Sequence, residues 1–237
     1  MAKALKRILN KDMKELKKMN LEDQGIYINF NEENMLEAYA IIIGPKGTPY
    51  EICVLYFTIK FPKDYPFSPP KINYLSQSKY RIHPNLYVGH PSDNFLGKVC
   101  LSILNTWSGP KWTTIMHIGS VLISIQSLLD ENPLQNEPGY ELVDDHRNII
   151  YNQIIEYNTY EYLILKNCFN IHSKFKVFEL EINRHIQRNK IEILKKMDYL
   201  VKQNPEKKSI QLSIYRLNCN FNYPYLYDIL KEKFDDI

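Results

Sequence analysis

Four prolines crowd into nine residues in the first third of the chain: Pro62, Pro66, Pro69 and Pro70. Proline has no backbone N–H to donate to a neighbouring strand, so this stretch is irregular or lies at the edge of a sheet. Most runs rich in β-branched and aromatic residues come before it, while Gly and Pro interrupt residues 76–112. The sequence therefore predicts strands first and a long structured loop after them.

Four short apolar runs predict the strands: Ile26 to Phe30, Leu36 to Ile43, Cys53 to Phe61 and Ile72 to Leu75. Turn residues from Gly44 to Thr48 separate the second run from the third. Strands joined by such short turns pair with their neighbours in antiparallel hairpins. We therefore expect a four-stranded antiparallel meander.

Apolar residues recur at helical spacing on both sides of these runs. Residues 3–19 predict an amphipathic helix with a basic outer face, because the first twenty residues carry seven basic and two acidic side chains. Residues 118–129 predict the most apolar helix, which we expect to lie across the sheet. After Asp144 the pattern is helical again and is broken near Asn170, and helical patterns near 175–201 and 226–234 predict further helices.

This succession of a helix, strands and more helices predicts an α+β fold with helices segregated from an antiparallel sheet. The chain has 237 residues, which is long for one compact domain. We expect a domain at residues 1–150 and a helical C-terminal extension at residues 151–237, packed on the domain or appended to it.

Composition and charge exclude several classes of function. The net charge of +3 is too small to argue for a nucleic acid or a membrane as partner. No run of about 18 apolar residues predicts a transmembrane helix, and the first residues lack the apolar core of a secretory signal. Cytosol or nucleus is therefore the expected location.

The four cysteines are scattered along the chain: Cys53, Cys100, Cys168 and Cys219. They form no CxxC pair and no cluster with His, which argues against a zinc site and against a disulfide framework. We expect no metal, no cofactor and a reducing compartment. A free cysteine taken alone is most often a buried packing residue.

Four motifs follow one another between residues 3 and 140. They are Ala4 to Ile8, Gly44 to Glu51, the proline-rich Phe61 to Lys71, and His83-Pro84-Asn85 followed by Gly97 to Leu101. In this order they resemble the ubiquitin-conjugating enzyme family, whose fold has an N-terminal helix, the four-stranded meander and a cross-sheet helix. Residues Cys100 to Trp112 and Asn136 to Gly139 also resemble its large, C-terminally extended Z subclass.

The resemblance implies that Cys100 is the nucleophile of a thioester relay. It would accept ubiquitin or a ubiquitin-like modifier from an activating enzyme and pass it to a substrate lysine, usually with a ubiquitin ligase. Such a relay needs a group that attacks well and also leaves well, and a thiolate does both. Cys53, Cys168 and Cys219 are interpreted as packing residues.

The resemblance also assigns roles to Asn85 and His83. The family's Asn either donates to the oxyanion or supports the loop around it, and its His is structural. That Asn usually precedes the Cys by about eight residues, whereas Asn85 precedes Cys100 by fifteen. Residues Val88 to Asn94 therefore look like an insertion. A second register, His90-Pro91-Ser92, keeps the usual spacing, but the residues flanking Asn85 favour Asn85.

Two partner surfaces follow from the resemblance. Lys6 and Arg7 match the basic helix face that docks the activating enzyme, although a basic helix face is more often merely solvated. Phe67, Trp107 and Pro110 match the positions that face a ligase, although aromatic residues here also suit the packing of a loop.

Three functions stay open at this point. The chain is an active conjugating enzyme, or an inactive family member that serves as a binding module in the ubiquitin pathway. In the third, it combines conjugation with ligase activity, and the helical extension selects the substrates. A cysteine hydrolase is disfavoured, because no His and acidic residue form a recognisable arrangement with a cysteine.

Overall fold

The computed structural model describes residues 2–142 and 146–236. Its centre is a five-stranded antiparallel meander in which each strand pairs with the next along the chain. The strands are β1 (Ile26–Phe30), β2 (Glu37–Ile43), β3 (Val54–Lys60), β4 (Lys71–Leu75) and β5 (Leu96–Lys98). The α+β class and the four predicted strands are confirmed.

The prediction of only four strands was wrong by one. Strand β5 has three residues with Gly97 at its centre, and it pairs with β4 at the edge of the sheet. Three residues are too few to show an alternating pattern, and glycine is depleted in strands. The strand exists because the ladder of β4 offers it partners, which the local sequence does not reveal.

The helices lie close to where the apolar spacing predicts them. The N-terminal helix comprises α1 (Ala2–Arg7) and α2 (Met13–Met19), which a π-helical turn at Ile8–Asp12 joins. The others are α3 (Ile118–Ser127), α4 (His146–Asn158), α5 (Leu165–Phe169), α6 (Glu179–Gln203) and α7 (Tyr223–Asp235). No helix within the two described ranges is long and apolar enough to cross a membrane.

The C-terminal extension is not purely helical, and that prediction was wrong for residues 208–221. Strands β6 (Lys208–Leu212) and β7 (Leu217–Phe221) form a second, two-stranded antiparallel sheet. Buried and exposed residues alternate strictly along β7. This two-residue period predicts a half-buried strand, so the sequence carried the signal.

Strand β3 is buried on both faces, since six of its seven residues are buried. Antiparallel sheets commonly leave one face to solvent, but here the extension covers it. The ring of Phe175 stacks on Tyr56 with 4.2 Å between centroids, and the Tyr56 hydroxyl donates to the Asn167 carbonyl. Helix α3 packs against β2. Helix α4 runs through residue 150, and the division into domains there stays a prediction.

A buried carboxylate, Asp12, ties the N-terminal helix to two other parts of the domain. It is fully buried and accepts hydrogen bonds from Arg7 Nε (3.1 Å), the Tyr65 hydroxyl (2.6 Å) and the Ile118 N–H (3.0 Å). A buried charge is tolerated only when it is paired and hydrogen-bonded in this way. Asp12 therefore fixes the helix against the proline-rich segment and against the start of α3.

Candidate active site

Cys100 lies at the base of a β-hairpin, opposite Asn85. The Cys100 N–H donates to the Asn85 carbonyl (2.8 Å), and the Asn85 side-chain Nδ2 donates to the Cys100 carbonyl (2.8 Å). Two residues further out on each arm, the Tyr87 N–H donates to the Lys98 carbonyl (3.0 Å). The two arms stay together although fifteen residues separate Asn85 from Cys100.

The residues that look inserted form the tip of this hairpin. They include a short 3₁₀ turn at Pro91–Asp93, where the His90 ring accepts a hydrogen bond from the Ser92 N–H (3.2 Å). Both His90 and Ser92 are exposed. The structure thus places Asn85 against Cys100, whereas the residues of the alternative register lie at the exposed tip.

His83 joins this hairpin to the end of α3. Its ring is fully buried, Nδ1 accepts from the Asn85 N–H (2.9 Å), and Nε2 lies 2.7 Å from the Leu128 carbonyl. Because Nδ1 accepts, the proton of the neutral ring is on Nε2, which donates to Leu128. Burial lowers the pKa of His83 to about 3. The ring is therefore neutral at physiological pH and acts as a strut.

The Asn85 amide lies in a position that braces the loop. Its Nδ2 is committed to the Cys100 carbonyl, and its Oδ1 is buried without a hydrogen-bond partner within the described residues. A donor that holds the Cys100 backbone also fixes where the Cys100 thiol lies. Of the two roles that the sequence leaves open for Asn85, this contact favours loop support.

Two cationic side chains, Lys98 and Arg81, act on the Cys100 thiol, whereas one, Lys79, acts on Cys219. Burial raises the pKa of Cys100, but Lys98, Arg81 and a hydrogen bond from Tyr87 lower it, and Glu137 raises it. Burial also raises the pKa of Cys53, Cys168 and Cys219, the last to about 11. All four cysteines are free and buried. Cationic neighbours are the usual means of making a thiol reactive.

Sequence reasoning missed one cluster beside this thiol. The Arg81 guanidinium lies between the rings of Tyr87 (3.7 Å to the centroid) and Tyr215 (4.3 Å), and its NH2 is 4.0 Å from Glu137 Oε2. The Tyr215 hydroxyl donates to the same Glu137 oxygen. Tyr215 belongs to the extension, and nothing in its local sequence marks it as close to Cys100.

The predicted docking residues differ in their surroundings. Lys6 is exposed, whereas the Arg7 guanidinium is bonded to Asp12 and donates to the carbonyls of Thr114 (3.0 Å) and Met116 (2.6 Å). Arg7 therefore holds the helix against the rest of the domain. Of the two predicted docking residues, Lys6 is the one whose charge is available to a partner. The docking role of both residues stays a prediction.

The predicted ligase-facing residues lie largely at the surface. Phe67 is 69% exposed, Pro110 is exposed and Trp107 is half-buried. The neighbouring Trp112 instead packs inward, and its Nε1 donates to the Pro66 carbonyl (2.7 Å). No group of three or more His, Cys, Asp or Glu side chains among residues 2–142 and 146–236 could hold a metal ion.

Comparison with known proteins identifies the family. A model of the ubiquitin-conjugating enzyme family matches residues 8–157, which is more than half of the chain. The matched part includes the hairpin, Cys100 and the whole meander. The chain belongs to the ubiquitin-conjugating enzyme family.

Two curated relatives agree with this assignment. Ubiquitin-conjugating enzyme E2 Z of Danio rerio is 41% identical over 140 residues, which cover 57% of this chain and 40% of the relative. The enzyme of the same name from Homo sapiens is 41% identical over 57% of this chain and 37% of its own length. The chain thus spans about two fifths of the length of these curated relatives. The E2 domain of a Toxoplasma gondii ubiquitin conjugating enzyme is 25% identical, with a TM-score of 0.49 over 65% of this chain and 98% of that domain.

The buried His83 predicts a specific loss of stability in acid. Its ordinary pKa in an unfolded chain is about 6.5, and in the folded protein it is about 3. Between these values only the unfolded chain binds the proton, so the free energy of unfolding falls by about 1.4 kcal/mol per pH unit as the pH drops. Above about pH 6.5 this contribution is fully present.

Replacement of His83 by Gln should make the pH dependence shallower by that amount, and urea denaturation at about pH 7, 6 and 5 measures it. His83→Gln should also lower stability at neutral pH by about 1–3 kcal/mol, since buried hydrogen bonds are lost. The exposed His90 provides the control: His90→Gln should keep the wild-type slope. If the free energy of unfolding depended equally on pH in His83→Gln and His90→Gln, the loss of stability in acid would not come from His83.

Proposed function

We propose that the protein is an active ubiquitin-conjugating enzyme. Cys100 accepts ubiquitin or a ubiquitin-like modifier from an activating enzyme and passes it to a substrate lysine, usually with the help of a ligase. The observation that carries the proposal is the position of Cys100. It lies at the base of the hairpin, braced by Asn85, with the charges of Lys98 and Arg81 acting on its thiol.

The proposed reaction has two acyl transfers. The Cys100 thiolate attacks the thioester carbonyl that joins the modifier to the activating enzyme, and the thiolate of that enzyme leaves. A neutral lysine amine then attacks the carbonyl of the new thioester. Its nitrogen releases one proton to solvent, and the Cys100 thiolate leaves as the isopeptide bond forms. The loop that positions the thioester carbonyl must stay fixed during both steps. The hydrogen bond from Asn85 to the Cys100 backbone supports a role for Asn85 in fixing this loop.

Charging with a modifier tests the proposal. The protein is mixed with ubiquitin, ATP and a panel of activating enzymes, and the products are separated on gels with and without reductant. We expect a band that reductant removes in the wild type and that is absent in Cys100→Ala. Cys53→Ala is the matched control and should still be charged, because Cys53 belongs to the hydrophobic core, whereas Cys100 lies in the hairpin outside that core.

The second candidate is an inactive family member that binds partners without forming a thioester. Burial favours it, since Cys100 is only 1% exposed and its pKa is raised. Failure of the folded wild type to form a thioester with every activating enzyme would support this candidate and overturn the first.

Asn85 should matter for discharge more than for charging. In Asn85→Ala the loop loses the hydrogen bond that fixes the Cys100 carbonyl, so transfer from the loaded protein to free lysine should slow by about tenfold or more. A single-turnover discharge assay measures the rate, after charging has been shown to reach completion. Ser92→Ala tests the alternative register and should discharge at the wild-type rate; a slow Ser92→Ala with a normal Asn85→Ala would reverse the assignment.

Lys6 is proposed to dock the activating enzyme, supported by its exposure on the basic helix. Lys6→Glu should slow charging by about threefold at low salt and less at high salt, because exposed charges are screened. Lys207→Glu, which changes the same charge at an exposed site in the extension, is the control. Equal charging of the two variants at low salt would leave Lys6 as part of a solvated helix face.

A further inference from the structure

Tyr215 of the C-terminal extension contacts the charged cluster beside Cys100. Tyr215 lies in the 3₁₀ turn Ile214–Arg216 between β6 and β7. The guanidinium carbon of Arg81 lies 4.3 Å from the centroid of the Tyr215 ring and 3.7 Å from that of Tyr87 in the hairpin. A guanidinium held between two rings has lost most of the freedom that an exposed arginine has.

We propose that Tyr215 is a positioning residue for the thioester relay, because its ring holds Arg81 in the arrangement that sets the charge around Cys100. The inference rests on the proposed function, since it concerns the same nucleophile. It makes the extension a part of the active site.

The contacts of Arg81 show what Tyr215 holds in place. The Arg81 guanidinium donates to the carbonyl of Pro84, which lies in the segment that carries Asn85. The Tyr151 hydroxyl donates to the Arg81 carbonyl (2.8 Å) and so fixes the backbone. The side chain of Arg81 is 17% exposed and that of Glu137 is 25% exposed. This charged pair is therefore partly shielded from water. Charges shielded in this way interact more strongly than charges at the exposed surface.

The backbone of Tyr215 supports a role for its side chain. Tyr215 and Arg216 have φ angles of 55° and 51°, in the left-handed region that bulky residues rarely adopt. Turns of this kind usually place glycine or asparagine there. Contacts of the Tyr215 ring with Tyr151 (6.1 Å between centroids) and Arg81 stabilise this conformation.

The groups that act on Cys100 have opposing effects. Arg81, Lys98 and Tyr87 favour the thiolate, while Glu137 and burial favour the neutral thiol. Without the Tyr215 ring, water reaches the open face of the guanidinium and screens its charge. Less thiolate is then present at neutral pH. Because the thiolate is the nucleophile, thioester formation slows.

The pH dependence of Cys100 alkylation tests the inference without any modifier. The full chain reacts with iodoacetamide between about pH 6 and 10, and peptide mass mapping follows Cys100 alone. In Tyr215→Ala the midpoint should rise, and the rate at neutral pH should fall by about threefold, as a half-unit rise in pKa requires. The rate at high pH should not change. Tyr215→Phe keeps the ring and should stay close to the wild type.

A matched control is Tyr225→Ala, which removes a tyrosine that is 63% exposed on α7. It should not move the midpoint. Should thermal melting show that Tyr215→Ala does not fold, Tyr215→Leu fills the space without an aromatic face and carries the same expectation. A wild-type midpoint in the folded variant would overturn the inference.

Two further variants separate charge positioning from a general loosening of the loop. Arg81→Gln should slow alkylation at neutral pH, whereas Glu137→Gln should accelerate it, since the two charges act on the thiol with opposite sign. Changes in the same direction would overturn the inference.

Charging gels run in parallel keep the two proposals distinct. If the wild type forms a thioester normally but the alkylation midpoint of Tyr215→Ala stays at the wild-type value, the inference is wrong and the proposed function stands. A moved midpoint without any charging of the wild type would sink the proposed function and leave the positioning of Arg81 supported.

Discussion

The burial of β3 on both faces is the constraint on which the architecture depends. An antiparallel sheet with a single helical layer leaves a second face in water, and here that face carries Tyr56. The extension covers it with Phe175 and offers the Asn167 carbonyl to the Tyr56 hydroxyl. Each large apolar side chain buried in this way contributes about 1.5–3 kcal/mol. The extension is therefore integral to the stability of the sheet.

The candidate site depends on the same layers. His83 links the hairpin to the end of α3, Asn85 links its two arms, and Tyr215 links it to the extension. Each of these contacts joins parts of the chain that are far apart in sequence. The hairpin that carries Cys100 is thus anchored to α3 and to the extension.

Periodicity sufficed to predict the helices and four strands, because their apolar faces repeat over several turns or residue pairs. Periodicity did not predict β5, because three residues are too few to show a repeat. The alternation of buried and exposed residues along β7 does indicate a strand, although a helical extension was predicted there. The motif identified Cys100 and Asn85, but their contact depends on cross-strand pairing. Lys6 and Arg7 are adjacent in sequence, and only tertiary structure shows that Arg7 is bonded to Asp12.

The hairpin has a consequence for how this loop can change over evolutionary time. Its base is fixed by the pairing of Leu86 with Val99 and by the bonds between Asn85 and Cys100. Residues added at the tip lengthen both arms together and leave the base in place. The number of residues between Asn85 and Cys100 can therefore change while the two residues stay in contact. The tip, where Asn94 is exposed, is free to acquire new contacts while Asn85 and Cys100 keep their positions.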